Sequence, residues 1–168
     1  MSFGTTPAGT ITKEQTLHSI RRLPVDGGAN IVKGNVCTID ANGDVVQAIN
    51  TSPAGSSWFV ALENADNTAG GDGAIDVPLA VRGHFVTVVA GGAIQPGNPV
   101  KMHTTAGRVV AFVEGTDAEG LKVGIYWGKE GGTIAKSGST PFLESYTDNA
   151  DFVPVDAANN DVIEIELR

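Results

Sequence analysis

A zinc site or a nucleophilic dyad needs histidines, cysteines and acids at short, fixed spacings, and this chain of 168 residues has three histidines and one cysteine to offer. His18, His84 and His103 are scattered, and Cys37 is the only thiol, so no zinc spacing forms and no disulfide can close within the chain. Lone histidines of this kind read as surface or hydrogen-bonded residues of a β-protein. A phosphate-binding loop requires Gly-Lys-Ser/Thr, whereas Gly128-Lys129 runs into Glu130. Gly71-Asp72-Gly73 lacks the third glycine and the following helix of a dinucleotide fingerprint. There is no Gly-x-Ser-x-Gly elbow, and Val100-Lys101-Met102 lacks the acidic partner of a biotinyl-type lysine hairpin. The stretch from Glu63 to Asp76 is rich in carboxylates, amides and glycines, donors that a hard cation such as calcium would use. Its acids miss the alternate positions of an EF-hand and its Gly-Gly-x-Gly run does not tile, so it reads as a solvated hairpin loop. No pair among the acids is selected by spacing for glycoside chemistry. No catalytic residue, metal site or cofactor is assigned.

The elements that would position such residues are strands, and the chain writes them twice. Ile31-Val32-Lys33-Gly34-Asn35-Val36 followed by Gly43-Asp44-Val45-Val46-Gln47-Ala48 recurs as Ile94-Gln95-Pro96-Gly97-Asn98-Pro99-Val100 and Gly107-Arg108-Val109-Val110-Ala111, one residue longer. A short apolar strand follows each Val-Val pair, Phe59-Val60-Ala61-Leu62 in the first copy and Val123-Gly124-Ile125-Tyr126 in the second. Gly34, Asn35, Asn42, Gly43, Gly97, Asn98 and Gly107 are the turn residues of this duplicated meander. Asn42-Gly43 is the dipeptide that two-residue hairpin turns prefer. Val36, Val46, Val60, Val100, Val110 and Ile125 are expected to face inward. Thr16 to Val25 reads as a first strand rather than a short helix, and Val162 to Leu167 alternates as a half-buried strand. The expected fold is all-β: a compact barrel built from two duplicated meanders. It spans 16–168, with 128–168 as an additional loop and strands, behind an extended, flexible N-terminal arm over 1–15.

Composition excludes several classes. A net charge of -8 gives no basic face for a phosphate backbone, so nucleic acid is not an expected partner. No apolar run is long enough for a membrane helix, and Met1-Ser2-Phe3-Gly4 lacks the charged and apolar regions of a signal peptide, so a soluble protein made in a reducing cytoplasm is expected. Charged residues make up only 18% of the chain, which suits a surface covered by neighbours and points to assembly.

The motif from Val32-Lys33-Gly34-Asn35-Val36 through Gly43-Asp44-Val45-Val46-Gln47-Ala48 and Phe59-Val60-Ala61-Leu62-Glu63-Asn64-Ala65 to Val77-Pro78-Leu79-Ala80-Val81-Arg82-Gly83 resembles the tailed-phage capsid cement, or head decoration, proteins. The second copy, from Gly97-Asn98-Pro99-Val100 to Gly107-Arg108-Val109-Val110, is similar to the later part of that family. The resemblance implies a β-tulip-like barrel, in a non-enzymatic protein made in the host cytoplasm. It would bind the outer surface of the expanded capsid in the virion, stabilise it, and have the major capsid protein and further copies of itself, as trimers, for partners. Phe3, Thr5, Thr6, Thr10 and Ile11 of the arm would then bind the capsid by adding a strand to an exposed sheet edge. Two other readings stand beside it. A carbohydrate- or receptor-binding β-module would use Trp58, Tyr126 and Trp127 as an aromatic platform, and a small β-clip enzyme would use the same turn-rich architecture.

Overall fold

Short runs of β-branched residues between glycine turns satisfy their backbone groups by pairing with one another. The computed structural model of the protein describes residues 8–9, 11–13, 20–50, 57–130 and 152–168. The strands are β1 (Ile11–Lys13), β2 (Arg21–Pro24), β3 (Asn30–Ile31), β4 (Val36–Ile39), β5 (Val45–Gln47), β6 (Phe59–Ala61) and β7 (Ala65–Asp66). They continue as β8 (Asp76–Ala80), β9 (Phe85–Ala90), β10 (Pro99–Met102), β11 (Arg108–Ala111), β12 (Lys122–Glu130), β13 (Phe152–Val153) and β14 (Val162–Leu167). One 3-10 turn, Glu119–Leu121, is the only helical element among the described residues.

The chain is all-β, and β9, β11, β10, β12 and β14 close into a barrel. β9 runs parallel to β11, and the pairs β11–β10, β10–β12, β12–β14 and β14–β9 are antiparallel. The first half follows the same order through β2, β8, β6, β4 and β5, all antiparallel, and its two edges meet at a parallel bridge between Val25 and Val45. That bridge is the counterpart of the Val109–Ala90 pair. The next hydrogen bond repeats too: Asp26 N–H donates to Val45 O at 3.1 Å, and Gly91 N–H donates to Val109 O at 2.7 Å. The duplication therefore includes β2 with β9 and β8 with β14, beyond the two meanders. The expectation that 128–168 is an addition to the repeat is corrected in one respect. β14 is the closing strand of the second ring, lying between β12 and β9.

Successive strand residues point to opposite faces, and here both faces are often buried. Cys37, Ala61 and Leu79 join Val25, Ile31, Val45 and Val77 in the core of the first ring. Their neighbours Val36, Val60 and Ala80 join Val86, Val100, Val109, Tyr126, Ile163 and Ile165 in the larger core, so the outer face of the first ring is sealed against the second. Of the expected inward residues, Val36, Val60 and Val100 are buried, whereas Val46, Val110 and Ile125 are half-buried. Val45, Val109 and Tyr126 take the buried positions beside them. A Val-Val pair leaves the phase of alternation open by one residue, and one residue reverses the face.

The hairpin between β4 and β5 forms as expected, but its turn is wider. Asp40 N–H donates to Asp44 O at 2.9 Å, which encloses three residues, and of these only Gly43 is left-handed, at φ +95°. This is the geometry of a three-residue loop with a left-handed last residue. Asp40 Oδ1 causes it by accepting the backbone N–H groups of both Asn42 and Asp44, each at 2.9 Å. In the second ring His103 stands in place of Asp40, and its Nδ1 accepts Thr105 N–H at 2.9 Å.

Candidate interaction surface

The arm begins at a close approach of backbones. Gly9 has φ +74° and its N–H donates to Thr87 O of the second ring at 2.6 Å. A Cβ on Gly9 would lie 2.5 Å from Ala61 O and 2.6 Å from Gly34 N of the first ring, so only glycine lets the arm cross between the rings here. β1 then pairs antiparallel with β9, Ile11 opposite Val86 and Lys13 opposite Phe85, with a register shift between them. Ile11 packs against the larger core. The expectation of a free arm over 1–15 is thus corrected where the arm is described, because a β9 edge is open beside the parallel β11 pairing and β1 fills it. Ile11 is committed to its own chain. Phe3, Thr5, Thr6 and Thr10 lie outside the described residues.

The predicted turn residues occupy matched places. Gly34, Gly43, Gly97 and Gly107 all have left-handed φ, at +84°, +95°, +83° and +76°. Asn35 O accepts Ala61 N–H and Asn98 O accepts Tyr126 N–H, both at 3.0 Å. Asn42 N–H is one of the two held by Asp40.

Of the three aromatics weighed as a platform, Trp58 is buried in the core at 6% exposure and Tyr126 is wholly buried. The Tyr126 hydroxyl donates to Val155 O at 2.5 Å, and burial, followed by the charges of Asp161 and Asp156, raises its pKa well above the ordinary tyrosine value. Trp127 alone stands outward, 44% exposed. The β12–β14 register shifts between Tyr126 and Gly128, so Trp127 is the extra residue of a bulge, a device that re-aims a side chain. Its ring lies 6.0 Å from that of Phe85, tilted by 44°. Phe85 was not singled out from the sequence; a single phenylalanine entering an alternating strand carries no signal that it will meet a tryptophan on another strand.

The groups with chemical potential are held in structural roles. His84 is fully buried and its Nδ1 accepts Val81 N–H at 3.1 Å. Cys37 is fully buried, and burial pushes its thiol up to about 12. His18 lies outside the described residues. A pocket of about 340 Å³ is lined by Lys101, His103, Thr104, Asp117 and their neighbours. Within it Lys101 pairs with Asp117, and His103 holds its turn.

The 63–76 loop is pinned to the first ring instead of being freely solvated. Asn67, almost fully buried, donates through Nδ2 to Val25 O at 2.9 Å, Asp26 O at 3.1 Å and Gly71 O at 2.9 Å. Asp66 Oδ1 accepts from the Thr68 hydroxyl at 2.6 Å, and Asp72 Oδ1 accepts Gly27 N–H at 3.0 Å. The described surface thus combines a seam bridged by β1 and Gly9 with an outward Trp127 on the wall of the second ring. Compared with known proteins, the chain matches no family model, no curated protein and no solved structure.

Proposed function

We propose that this chain is a structural capsid decoration protein. It binds the outer surface of an expanded phage head in the virion, stabilises it without catalysis, and contacts the major capsid protein and copies of itself in trimers. The observation that carries the reading is Trp127, which a strand bulge turns outward against Phe85 while Trp58 and Tyr126 are buried. Tryptophan is the residue most enriched among those that dominate protein interfaces. The duplicated glycine-turn motif and its resemblance to the head decoration family support the same reading, as do the structural roles of His84, His103 and Cys37. The carbohydrate-platform reading is weakened because two of its three aromatics face the core.

Sedimentation of the purified protein with expanded heads, unexpanded heads and soluble major capsid protein tests this. Binding to expanded heads alone is expected, with Trp127→Ala weakening it by about tenfold or more while the melting temperature stays close to that of the parent. Binding to a glycan array without binding to heads would favour the rival module.

A further inference from the structure

β2 runs along an edge of the first ring that no described strand covers. Val25 N–H donates to Ile75 O at 2.9 Å, and the antiparallel register continues through Leu23–Val77 and Arg21–Leu79. Backbone groups alternate sides along a strand, so those of Leu23 and Arg21 face β8, and those of Arg22 and Ile20 face the other way. On that other side the ring is closed by the Val25–Val45 bridge and by the bond from Asp26 N–H to Val45 O. Pro24 has no N–H to extend the bridge, whereas in the second ring the parallel pairing runs on to Arg108–Val89. The outward N–H and C=O of Arg22 therefore have no backbone partner among the described residues.

The second ring shows what such an edge takes. Counting back from the closing pairs Val25–Val45 and Ala90–Val109, Arg22 stands in the place of Thr87, Arg21 in that of Val86 and Ile20 in that of Phe85. There Thr87 O accepts Gly9 N–H at 2.6 Å, and β1 lies antiparallel along the edge with Ile11 opposite Val86 and Lys13 opposite Phe85. The twin edge in the first ring is more open and more charged. Ile20 is 47% exposed, and Arg21 and Arg22 are both exposed, whereas Val86 and Thr87 are fully buried. Neither guanidinium joins an ion pair among the described residues. Arg21-Arg22 is the only pair of adjacent basic residues in a chain of net charge -8.

We propose that the β2 edge at residues 20–22 binds an extended acidic segment of a partner protein, which adds to the first ring as a strand in the way that β1 adds to the second. Main-chain bonds to the outward N–H and C=O of Arg22 hold the segment, and its side chains set the specificity. Arg21 and Arg22 point to opposite faces of the strand, so the segment carries carboxylates on both of its own faces, with an apolar residue to cover Ile20. Two β2 edges pair poorly with each other, because like charges would stand directly opposite. The edge belongs to the first ring, whereas Trp127 is on the second.

The test is fluorescence anisotropy of a labelled, end-capped peptide, Thr-Glu-Glu-Val-Glu-Glu-Thr, titrated with the full chain, with Thr-Lys-Lys-Val-Lys-Lys-Thr as the control. Saturable binding of the acidic peptide alone is expected, weakening as salt is added. Arg22→Glu should weaken it by about tenfold or more, since like charges then meet. Arg22→Pro removes the outward N–H without touching a bond to β8, so it should abolish binding and leave the melting temperature close to that of the parent. Amide hydrogen exchange followed by nuclear magnetic resonance should show Arg22 N–H becoming protected when the peptide saturates the parent, a readout that holds even if the proline variant does not fold. No saturation up to about 1 mM protein would overturn the proposal. Binding that survives either substitution, or that leaves Arg22 N–H unprotected, would also overturn it and indicate diffuse attraction. Self-association of the parent that is lost in Arg22→Pro, without peptide binding, would overturn it as well and assign the edge to a second copy of the chain.

Discussion

Asp117 ties a loop to a strand with its two carboxylate oxygens. One accepts from the Lys101 ammonium of β10 and the other from Val113 N–H at 2.7 Å. These bonds, the Lys101 hydrogen bond foremost, hold its carboxyl below the usual aspartate range. A folded-state pKa below the unfolded value of about 3.9 means that the stabilisation is fully present above about pH 4. It is lost as pH falls through the folded value. Asp117→Asn should therefore melt below the parent at neutral pH, with the gap closing under acid conditions; melting temperatures from pH 7 down to pH 2 check this, and a gap independent of pH would contradict it. At this scale the scattering of His84, His103 and Cys37 pointed to hydrogen-bonded or buried residues; His84 and His103 each accept a backbone N–H, and Cys37 is buried. That one carboxylate oxygen from each of Asp26, Asp40 and Asp44 lies within 4.8 Å of the others was not legible, because it depends on a ring closure that joins two distant strands through the Val25–Val45 bridge.

Among the elements, the turn glycines offer matched substitutions. Gly34 and Gly97 open equivalent turns with almost the same φ, but a Cβ on Gly34 would collide with Ala8 of the arm, whereas one on Gly97 meets nothing within 4 Å. Gly97→Ala should cost about 1–2 kcal/mol for the left-handed backbone alone. Gly34→Ala should cost more, and the excess should vanish in chains lacking residues 1–10, a non-additivity expected of groups in contact. Denaturant midpoints of the parent and both variants, in the full and the shortened chain, measure it; equal costs in the full chain would mean that the arm does not rest on Gly34. The hairpins and turns were legible because glycine and asparagine mark them chemically. The phase of each Val-Val pair was not, nor was the Trp127 bulge, because both are decided by pairing across strands instead of by local preference. The pairing of Ile11–Lys13 was missed for a related reason: a strand of three residues with one isoleucine looks too poor to bind until the open edge of β9 is known.

The described residues form two like rings with different exteriors. The first uses both faces of β4, β6 and β8, one for its own core and one for the seam, while the second carries Trp127 outward and closes with β14. Repetition in the sequence announced a duplicated β-protein but covered only three of the five strands in each ring. β2 and β9, and β8 and β14, keep their pairing while their residues diverge, since a strand conserves direction and burial more readily than side-chain identity. On the decoration reading, such a body would present its outer wall to a shell, and many copies on one lattice would bind multivalently. The most direct test is a cryo-electron microscopy reconstruction of expanded heads with and without the purified protein. The decoration reading predicts added density on the outer surface, large enough for both rings, clustered about three-fold positions and absent from unexpanded heads. Identical maps of treated and untreated expanded heads, at protein concentrations that saturate any other ligand, would contradict it.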